Sequence, residues 1–171
     1  MDLKLTRRLS KSDVFEKIKN YLQENEFKII NLDETRPWGG FFVIDENQSQ
    51  KFVDFFFNGV EDSKNKHILK ISPKILIVQP EKRLSWQYHH RRAELWKVIG
   101  GEVGVVQSEN DHENQVKTKR INDLIKLKQG ERHRLIGLEN WGIVAEIWQH
   151  IDHLQPSDEN DIVRLQDDFG R

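Results

Sequence analysis

The chain has no cysteine among its 171 residues. Disulfide frameworks, thiolate-bound zinc and thiol catalysis are therefore excluded, because each of them needs a cysteine sulfur. The sequence also lacks an apolar run of about 18 residues, the length of a membrane-spanning helix, and its N-terminus lacks the apolar stretch of a secretory signal. We therefore expect a cytoplasmic protein with no membrane partner, in which oxygen and imidazole groups are the available metal ligands.

An excess of charge of one sign is missing as well. Lys and Arg together number 27 and Asp and Glu 28, so the formal net charge is -1, and no global field would attract nucleic acid. Hydrophobic residues make up only 36% of the chain and charged residues 32%, which predicts a small core beneath a very polar surface. Nine Phe and five Trp still supply the apolar area that disordered chains lack, and the length suits one domain.

Residues 12–26 carry apolar side chains at helical spacing. Val14, Ile18, Tyr21 and Leu22 follow one another at i, i+4, i+7 and i+8, which is the pattern of one face of a helix. The spacing therefore predicts a short amphipathic helix, whose apolar face covers the structure that follows.

From Phe27 onward the sequence consists of short β-rich runs separated by turn residues. The ten runs are FKIINL, GGFFVID, KFVDFFF, HILKIS, KILIVQP, RLSWQYH, AELWKVI, GEVGVVQS, INDLIKLK and WGIVAEIWQHI. Their near-regular spacing is typical of an all-β sandwich or barrel. We expect residues 1–30 to form an N-terminal helical appendage packed on one β domain of residues 31–171, with an exposed loop at 108–119.

One segment combines several residues with metal-binding side chains. Gln87 and His89 are two positions apart, so on a strand they project from the same face. A tight turn after His89 would bring the Glu94 carboxylate back towards them, and His133 follows a glycine turn at Gly130. An amide oxygen, a carboxylate and two imidazoles suit a divalent ion of the zinc, iron, manganese or nickel kind.

The same residues carry a resemblance to a known superfamily. The spacing Gln87-x-His89-x4-Glu94-x6-Gly101 is similar to the first cupin motif, H-x-H-x3–4-E-x6-G, with Gln in place of the first His. Gly130-x2-His133 resembles the core of the second cupin motif, in which Lys128 and Gly137 stand where Pro and a terminal Asn are usual. The resemblance implies an all-β fold of the cupin (RmlC-like) type, a double-stranded β-helix or jelly roll.

A narrower resemblance covers most of the chain from residue 35 onward. In order, RPWGG at 36–40, KILIVQPEKRLSWQYHHRRAELW at 74–96, GERHRL at 130–135 and ENDIVRLQDDFGR at 159–171 resemble motifs of the C-terminal isomerase domain of type II mannose-6-phosphate isomerases. The chain departs from these motifs at Arg91 and Leu95, where the family has His, and at Glu81, where it has a turn Gly. The preceding residues are too few for the nucleotidyltransferase domain of the bifunctional relatives, so guanylyl transfer is not expected.

The resemblance implies a role for eleven residues. Metal ligands are implied at Gln87, His89, Glu94 and His133, the set that strand geometry also selects. Catalytic roles are implied at Lys74 and Arg164. Contacts with the substrate are expected at Arg36, Trp38, Ser85, Arg92 and Arg134. The implied reaction interconverts mannose 6-phosphate and fructose 6-phosphate with one divalent metal ion, for which zinc is expected and iron, manganese, nickel and cobalt are alternatives.

Several alternatives remain open from the sequence. A metal-free cupin would use the same polar residues for hydrogen bonds, and the protein could bind a sugar phosphate without turning it over, as a regulator, or isomerise another phosphorylated aldose. The base could be a hydroxide held by the metal, Lys74 or a nearby carboxylate. His90 should point to the surface, and four tryptophans should pack in the core or at its rim: Trp38, Trp86, Trp96 and Trp148. Cupins often pair through sheet edges, which makes a homodimer a further expectation.

Overall fold

The computed structural model of the protein describes residues 5–58, 71–152 and 154–170. Two helices, α1 (Lys11–Glu24) and α2 (Ser49–Phe56), and a short 3-10 turn (Glu46–Gln48) accompany eleven strands in these residues. The strands are β1 (Ile29–Asp33), β2 (Gly39–Ile44), β3 (Lys74–Val78), β4 (Trp86–Tyr88), β5 (Arg92–Gly100), β6 (Val103–Ser108), β7 (Lys117–Lys119), β8 (Leu124–Leu127), β9 (Arg132–Gly137), β10 (Gly142–His150) and β11 (Val163–Gln166). Within the described residues, neither helix is long and apolar enough to cross a membrane.

The strands form two packed antiparallel sheets. The six-stranded sheet has the order β1-β2-β3-β10-β5-β8, and the five-stranded sheet has the order β11-β4-β9-β6-β7. Strands β4 and β5 are consecutive in the chain but belong to different sheets, so the short connection between them crosses from one layer to the other. This arrangement confirms the predicted all-β jelly roll.

The predicted N-terminal helix is present. Ser10 is its N-cap: the Ser10 side chain accepts a hydrogen bond from the backbone N–H of Asp13, and the Asp13 carboxylate accepts one from the backbone N–H of Ser10. This reciprocal capping satisfies two backbone donors that would otherwise lack partners. The helix buries the apolar stripe Val14, Phe15, Ile18 and Leu22.

A second helix replaces one predicted strand. The run KFVDFFF at 51–57 is β-rich in composition, yet most of it forms α2. Phe52, Val53 and Phe56 are buried, whereas Asp54 and Phe55 are exposed, and this spacing is helical because a strand would alternate its faces at every residue. The strand prediction was wrong here, and the predicted strand at 67–72 lies mostly outside the described residues.

The six-stranded sheet has an apolar cluster on each face. The outer core lies under α1 and α2 and contains alternate residues of β10, namely Ile143, Ala145 and Ile147. The inner core lies between the two sheets and contains Val144 from the same strand. Because side chains alternate along a strand, the next residue in the inner series is Glu146. The inner face therefore combines apolar packing with buried charge.

Three strands of the five-stranded sheet fall where no strand was predicted. These are β7, β9 and β11, and β7 lies inside the segment that the sequence suggested was a loop. Strand β9 matters most for the site, since it carries His133 and pairs with both β4 and β6.

Candidate metal centre and its cavity

Two short sequence segments place three candidate ligands at one point between the sheets. His89 directly follows β4, and Glu94 is the third residue of β5, so the turn between the two strands brings them together. His133 lies on β9, where Gln87 of β4 is its cross-strand partner. The antiparallel pairing therefore joins the two motifs that are some forty residues apart in the chain.

The three titratable side chains form a compact cluster. The ligand atoms of His89, Glu94 and His133 all lie within 4.8 Å of one another, and each residue is only 2% exposed. His89 Nε2 is 3.3 Å from Glu94 Oε1, and His133 Nε2 is 3.7 Å from Glu94 Oε2. One carboxylate thus lies between two imidazoles, an arrangement that first-row divalent ions favour.

Backbone carbonyls determine which nitrogen of each imidazole carries the proton. His89 Nδ1 is hydrogen-bonded to the carbonyl of Asp161, and His133 Nδ1 to the carbonyl of Glu131 at 2.9 Å. A carbonyl oxygen can only accept, so both Nδ1 atoms are donors and both Nε2 lone pairs face the cluster. Within the described residues, His133 Nε2 is buried without a hydrogen-bond partner. These residues fit a metal ion.

The charge states of the cluster are also those of metal ligands. Burial lowers the pKa of His89 to about 4, against the opposing charge of Glu94, and burial lowers the pKa of His133 as well. Burial alone would raise the pKa of Glu94, but the charges of His89, Arg92 and His133 reverse this effect and lower it. At neutral pH the imidazoles are therefore neutral and the carboxylate is ionised, as metal coordination requires.

Gln87, the fourth expected ligand, lies beside the cluster. It lines the same cavity as Glu94 and is held by Ser85, whose hydroxyl lies 2.6 Å from Gln87 Oε1. Ser85 is itself buried. The structure therefore places Ser85 as a residue that orients the Gln87 amide, in addition to lining the cavity.

Arg92 is more deeply involved in the cluster than a substrate contact would be. Its Nε donates to Glu94 Oε1 at 2.7 Å, its Nη2 lies 3.0 Å from His89 Nε2, and its guanidinium stacks 3.7 Å from the centroid of a Trp148 ring. Because the guanidinium is always charged, it supplies a buried positive charge beside the Glu94 carboxylate.

The segment after β10 braces the turn that carries the ligands. The Asp161 carboxylate accepts hydrogen bonds from the backbone N–H groups of His90 and Arg91, both at 2.9 Å, and from the Ser157 hydroxyl at 2.7 Å. Since the Asp161 carbonyl also binds His89, one residue fixes both the turn and the ring orientation of a ligand. Sequence reasoning had no role for Asp161, although it lies in the DIVR part of the quoted motif.

Glu94 of the cluster lies in the wall of a cavity of about 100 Å³ that opens to solvent, whereas the expected ligands His89 and His133 do not line it. Its lining includes the expected residues Arg36, Trp38, Lys74, Ser85, Gln87, Arg92, Glu94 and Arg164. Lys74 Nζ lies 2.5 Å from Glu159 Oε1 and 3.9 Å from the centroid of a Trp148 ring. Arg164 is exposed at the rim. Four cations thus border one cavity, which suits a ligand that carries a phosphate.

Glu146 is a site residue that the sequence reasoning missed. It is 5% exposed, lines the cavity, and accepts a hydrogen bond from Trp96 Nε1 at 3.0 Å. The same indole N–H also lies 3.1 Å from Glu94 Oε2. Burial, followed by the Glu94 charge, raises the pKa of Glu146, although Lys74 opposes the shift. The available signal was a single carboxylate within the apolar run GIVAEIW.

Other expected residues are not brought to the cavity. Arg134 does not line it; the Arg134 side chain is buried, with Nη1 2.6 Å from Glu113 Oε1 and Nη2 3.2 Å from the Gln166 carbonyl. It contacts the neighbouring loop and strand because alternation on β9 turns it to the face opposite His133.

His90 is exposed, as the sequence predicted. The tryptophans expected to pack in the core or at its rim are buried: Trp38, Trp86, Trp96 and Trp148.

Comparison with solved structures supports the fold. The capsular polysaccharide assembling protein CapF from Staphylococcus aureus matches with a TM-score of 0.52 and 13% identity, over 80% of this chain and 34% of CapF. Vicilin from Solanum lycopersicum (tomato) matches with a TM-score of 0.52 and 16% identity, over 81% of this chain and 34% of vicilin. At these identities the similarity concerns the cupin-like fold alone.

Curated relatives and a family model identify the sequence group. The xanthan biosynthesis protein XanB of Xanthomonas campestris pv. campestris is 30% identical over 136 residues, which are 80% of this chain and 23% of XanB. Mannose-1-phosphate guanylyltransferase ManC of Salmonella typhimurium is 28% identical over 136 residues, 80% of this chain and 22% of ManC. The chain thus spans less than a quarter of either relative. The family model described as mannose-6-phosphate isomerase C-terminal matches residues 56–167. This cupin therefore belongs to the mannose-6-phosphate isomerase C-terminal family.

Proposed function

We propose that the protein is a metal-dependent aldose–ketose isomerase that interconverts mannose 6-phosphate and fructose 6-phosphate. The observation that supports this most strongly is the buried cluster of His89, Glu94 and His133, whose Glu94 lines a cavity bordered by Lys74 and arginines. The family and the curated relatives both connect this cupin with sugar metabolism. Zinc is the metal we expect, since two imidazoles and a carboxylate are common zinc ligands.

Two groups of side chains have different tasks in this proposal. Gln87, His89, Glu94 and His133 would hold the divalent ion, which when bound supplies Lewis-acid polarisation of the sugar oxygens O1 and O2. The chain itself contributes a fixed positive charge beside this point, because Arg92 is held by Glu94 and stacked on Trp148. That charge would stabilise an enediolate whose negative charge develops during the reaction.

The phosphate would bind to Lys74 and to two arginines that line the cavity. Lys74 is 6% exposed at its side chain, whereas its partner Glu159 is 72% exposed. A phosphate could therefore replace the exposed rim carboxylate while Lys74 stays in place against Trp148. Arg36 and Arg164 line the same cavity and would complete a guanidinium clamp on the phosphate oxygens.

A coupled assay on purified protein tests the proposal. Mannose 6-phosphate is supplied, fructose 6-phosphate formation is followed, and bound metal is measured by elemental analysis. Glu94→Gln should lose stoichiometric metal and lower kcat/KM by about 10³-fold or more, because it removes a charged ligand. Glu102→Gln, at an exposed carboxylate paired with Arg120, is the matched control and should retain both properties. Undiminished turnover and full metal content in Glu94→Gln would contradict the proposal.

A second function is a sugar-phosphate sensor that performs no reaction. One observation favours it: Arg92 contacts both Glu94 and His89, so the cluster is electrostatically balanced by the chain's own cation. The same assay separates the two functions. A rise in Tm with mannose 6-phosphate in the absence of any turnover indicates the sensor, and turnover only with another aldose phosphate indicates an isomerase of different specificity.

A further inference from the structure

The cavity contains a buried carboxyl that the metal cluster does not use. Glu146 lies on β10, where its cross-strand neighbours are Lys74 on β3 and Trp96 on β5. All three therefore project from the same face of the six-stranded sheet. Within the described residues, this carboxyl makes one hydrogen bond, in which Glu146 Oε1 accepts from Trp96 Nε1. Its other oxygen makes no hydrogen bond with any residue that the structure describes, although the side chain is 5% exposed and lines the cavity.

The other carboxyls that line the cavity are already engaged. Glu94 has Arg92 Nε at 2.7 Å and His89 Nε2 at 3.3 Å from Oε1, and its Oε2 receives the Trp96 N–H. Glu159 lies at the exposed rim and is ion-paired with Lys74. Glu94 is thus committed to the metal cluster and Glu159 to a cation.

Lys74 is also a poor candidate for carrying protons. Its Nζ lies between the Glu159 carboxylate and the ring of Trp148, and it is 5.3 Å from the centroid of the Phe41 ring. Both an anion and aromatic faces stabilise the charged ammonium. These contacts suit a fixed cation that binds phosphate or neutralises an enediolate, and leave proton transfer to another group.

We propose that Glu146 is the catalytic residue that moves the proton between C1 and C2 of the open-chain sugar phosphate. This inference rests on the proposed function and names the base that the sequence left open. The Glu146 carboxylate lies in the same wall as the Glu94 cluster, to which the shared Trp96 N–H connects it. A sugar whose O1 and O2 face the cluster would present the C1–C2 edge to that wall.

The step balances without a further reactant. The Glu146 carboxylate takes the C2 proton; the C–H electron pair becomes the C1=C2 bond, and the carbonyl π pair moves to O1. The neutral carboxylic acid then returns the proton to C1 while the proton of the O2 hydroxyl passes to O1 through solvent, and C2=O forms. The charged groups around Glu146 are Lys74 on β3, Glu94 and Arg92 on β5, and Glu159 in the segment after β10. Burial and the charges of Glu94 and Glu159 outweigh the opposing charges of Lys74 and Arg92, and they hold the pKa of Glu146 above its usual value, nearer the neutral range that suits an acid–base catalyst.

The test compares the wild type with Glu146→Gln in the metal-loaded, full-length protein. The amide retains an oxygen that can accept the Trp96 N–H, so folding and metal content should be retained. We expect kcat to fall by about 10²–10⁴-fold with little change in KM. In D₂O the wild type should place deuterium at C1 of fructose 6-phosphate, and the variant should lose this incorporation in parallel with kcat. Glu146→Asp, which keeps a carboxyl, should recover part of both rates.

Each result supports or overturns the assignment. If Glu146→Gln retains kcat within about threefold, or if its kcat falls only together with metal content or Tm, Glu146 is not the proton carrier. Wild-type protein that binds metal but neither turns over nor exchanges deuterium with any sugar phosphate overturns the proposed function itself, and the role of Glu146 with it. Glu102→Gln is again the matched exposed control.

Discussion

The two faces of the six-stranded sheet differ in what they bury. The outer face packs against α1 and α2 through apolar side chains, including Phe42, Phe52 and Ile75, each 0% exposed. The inner face buries Lys74, Glu94 and Glu146 beside its apolar residues. Neighbouring residues of one strand, such as Lys74 and Ile75, therefore lie in environments of opposite polarity. Stability and chemistry are divided between the two faces.

This division follows from the cost of buried charge. A charge can be buried only with partners, and the inner face supplies them, for example Arg92 for Glu94 and Glu159 for Lys74. The outer face supplies aromatic packing instead: the ring centroids of Phe52 and Phe56 are 4.8 Å apart, and those of Phe27 and Phe52 are 5.9 Å apart. The outer face can therefore stabilise the fold while the inner face keeps polar groups available.

The variant with the largest expected loss of stability places a charge on the outer face. Ile75→Lys buries an ammonium between Phe42 and Ala145, its cross-strand neighbours, where no counter-ion is at hand among the outer core residues. We expect a loss of more than about 4 kcal/mol from the about 5–15 kcal/mol that stabilises an ordinary domain, so that much less of the protein folds. Soluble yield and circular dichroism measure it. Ile75→Val, the apolar control, should cost only about 1 kcal/mol.

The adjacent residue gives the contrasting result. Lys74→Met should keep the fold, because the partner that it leaves behind, Glu159, is exposed to water, yet it should weaken sugar-phosphate binding. A folded Ile75→Lys protein with a wild-type Tm, or an unfolded Lys74→Met protein, would contradict the division between the faces.

The next effect comes from removing an aromatic ring of the outer core. Phe52→Ala should lower the free energy of unfolding by about 3–5 kcal/mol, the usual cost of a large buried cavity. Because the ring lies on the face opposite the cluster, metal bound per folded molecule should stay unchanged. Urea unfolding and elemental analysis test both parts. Phe55→Ala, at the exposed neighbour on α2, is the control and should cost far less.

Acid should destabilise the inner face in the metal-free protein. The pKa of His89 is about 4 in the folded protein, against 6.5 for the free group, so the unfolded chain binds a proton first as the pH falls below about 6.5. The contribution of His89 to the free energy of unfolding is therefore fully present above about pH 6.5, and it is lost as the pH falls from about 6.5 to about 4. By about pH 5 His89 alone should account for about 2 kcal/mol. Urea unfolding with a chelator at several pH values measures it.

The control for this prediction is His90, the exposed neighbour. His90→Asn should leave the pH dependence in place, whereas His89→Asn should reduce it to the part that comes from His133, whose pKa is also lowered by burial. A pH-independent stability of the wild type between about 6.5 and 5 would show that His89 is free to protonate in the folded state.

The smallest effect concerns the helix that covers the outer face. Ser10→Ala removes the side-chain acceptor for the backbone N–H of Asp13 and should cost about 1 kcal/mol. Ser10→Asp, which restores an acceptor, should recover much of this stability. Thermal unfolding measures both variants. Equal Tm values for Ser10→Ala and the wild type would show that the capping box does not contribute to stability.

The sequence was most informative where one signal dominated. The valine- and isoleucine-rich runs that became β3, β5, β6 and β10 are buried and β-branched, so they could be predicted from composition. In the run that became α2, phenylalanine has high strand propensity, and the helix is stabilised by tertiary packing of Phe52, Val53 and Phe56. Local propensity could not anticipate that contact.

Prediction of the site residues from sequence has the same limit, because some of their roles depend on tertiary contacts. The two imidazoles and Glu94 were predictable because motif spacing encodes which side chains converge. Arg134 was not, since its role depends on which face of β9 it occupies and on Glu113, twenty-one residues away. Glu146 and Asp161 contribute through neighbours that are adjacent only in the folded protein, Trp96 and His89. Pairing across strands, which no local pattern records, decides these roles.

The bonds made by Asp161 also have a kinetic consequence. They join residue 161 to residues 89, 90 and 91, a separation of 70 to 72 positions. Contacts so distant in the chain form late, because the intervening loop must close first. During synthesis from the N-terminus, the turn that carries His89 and Glu94 emerges long before its brace. The turn therefore stays without its brace until residue 161 has been made, and the His89 ring is oriented only at that later stage.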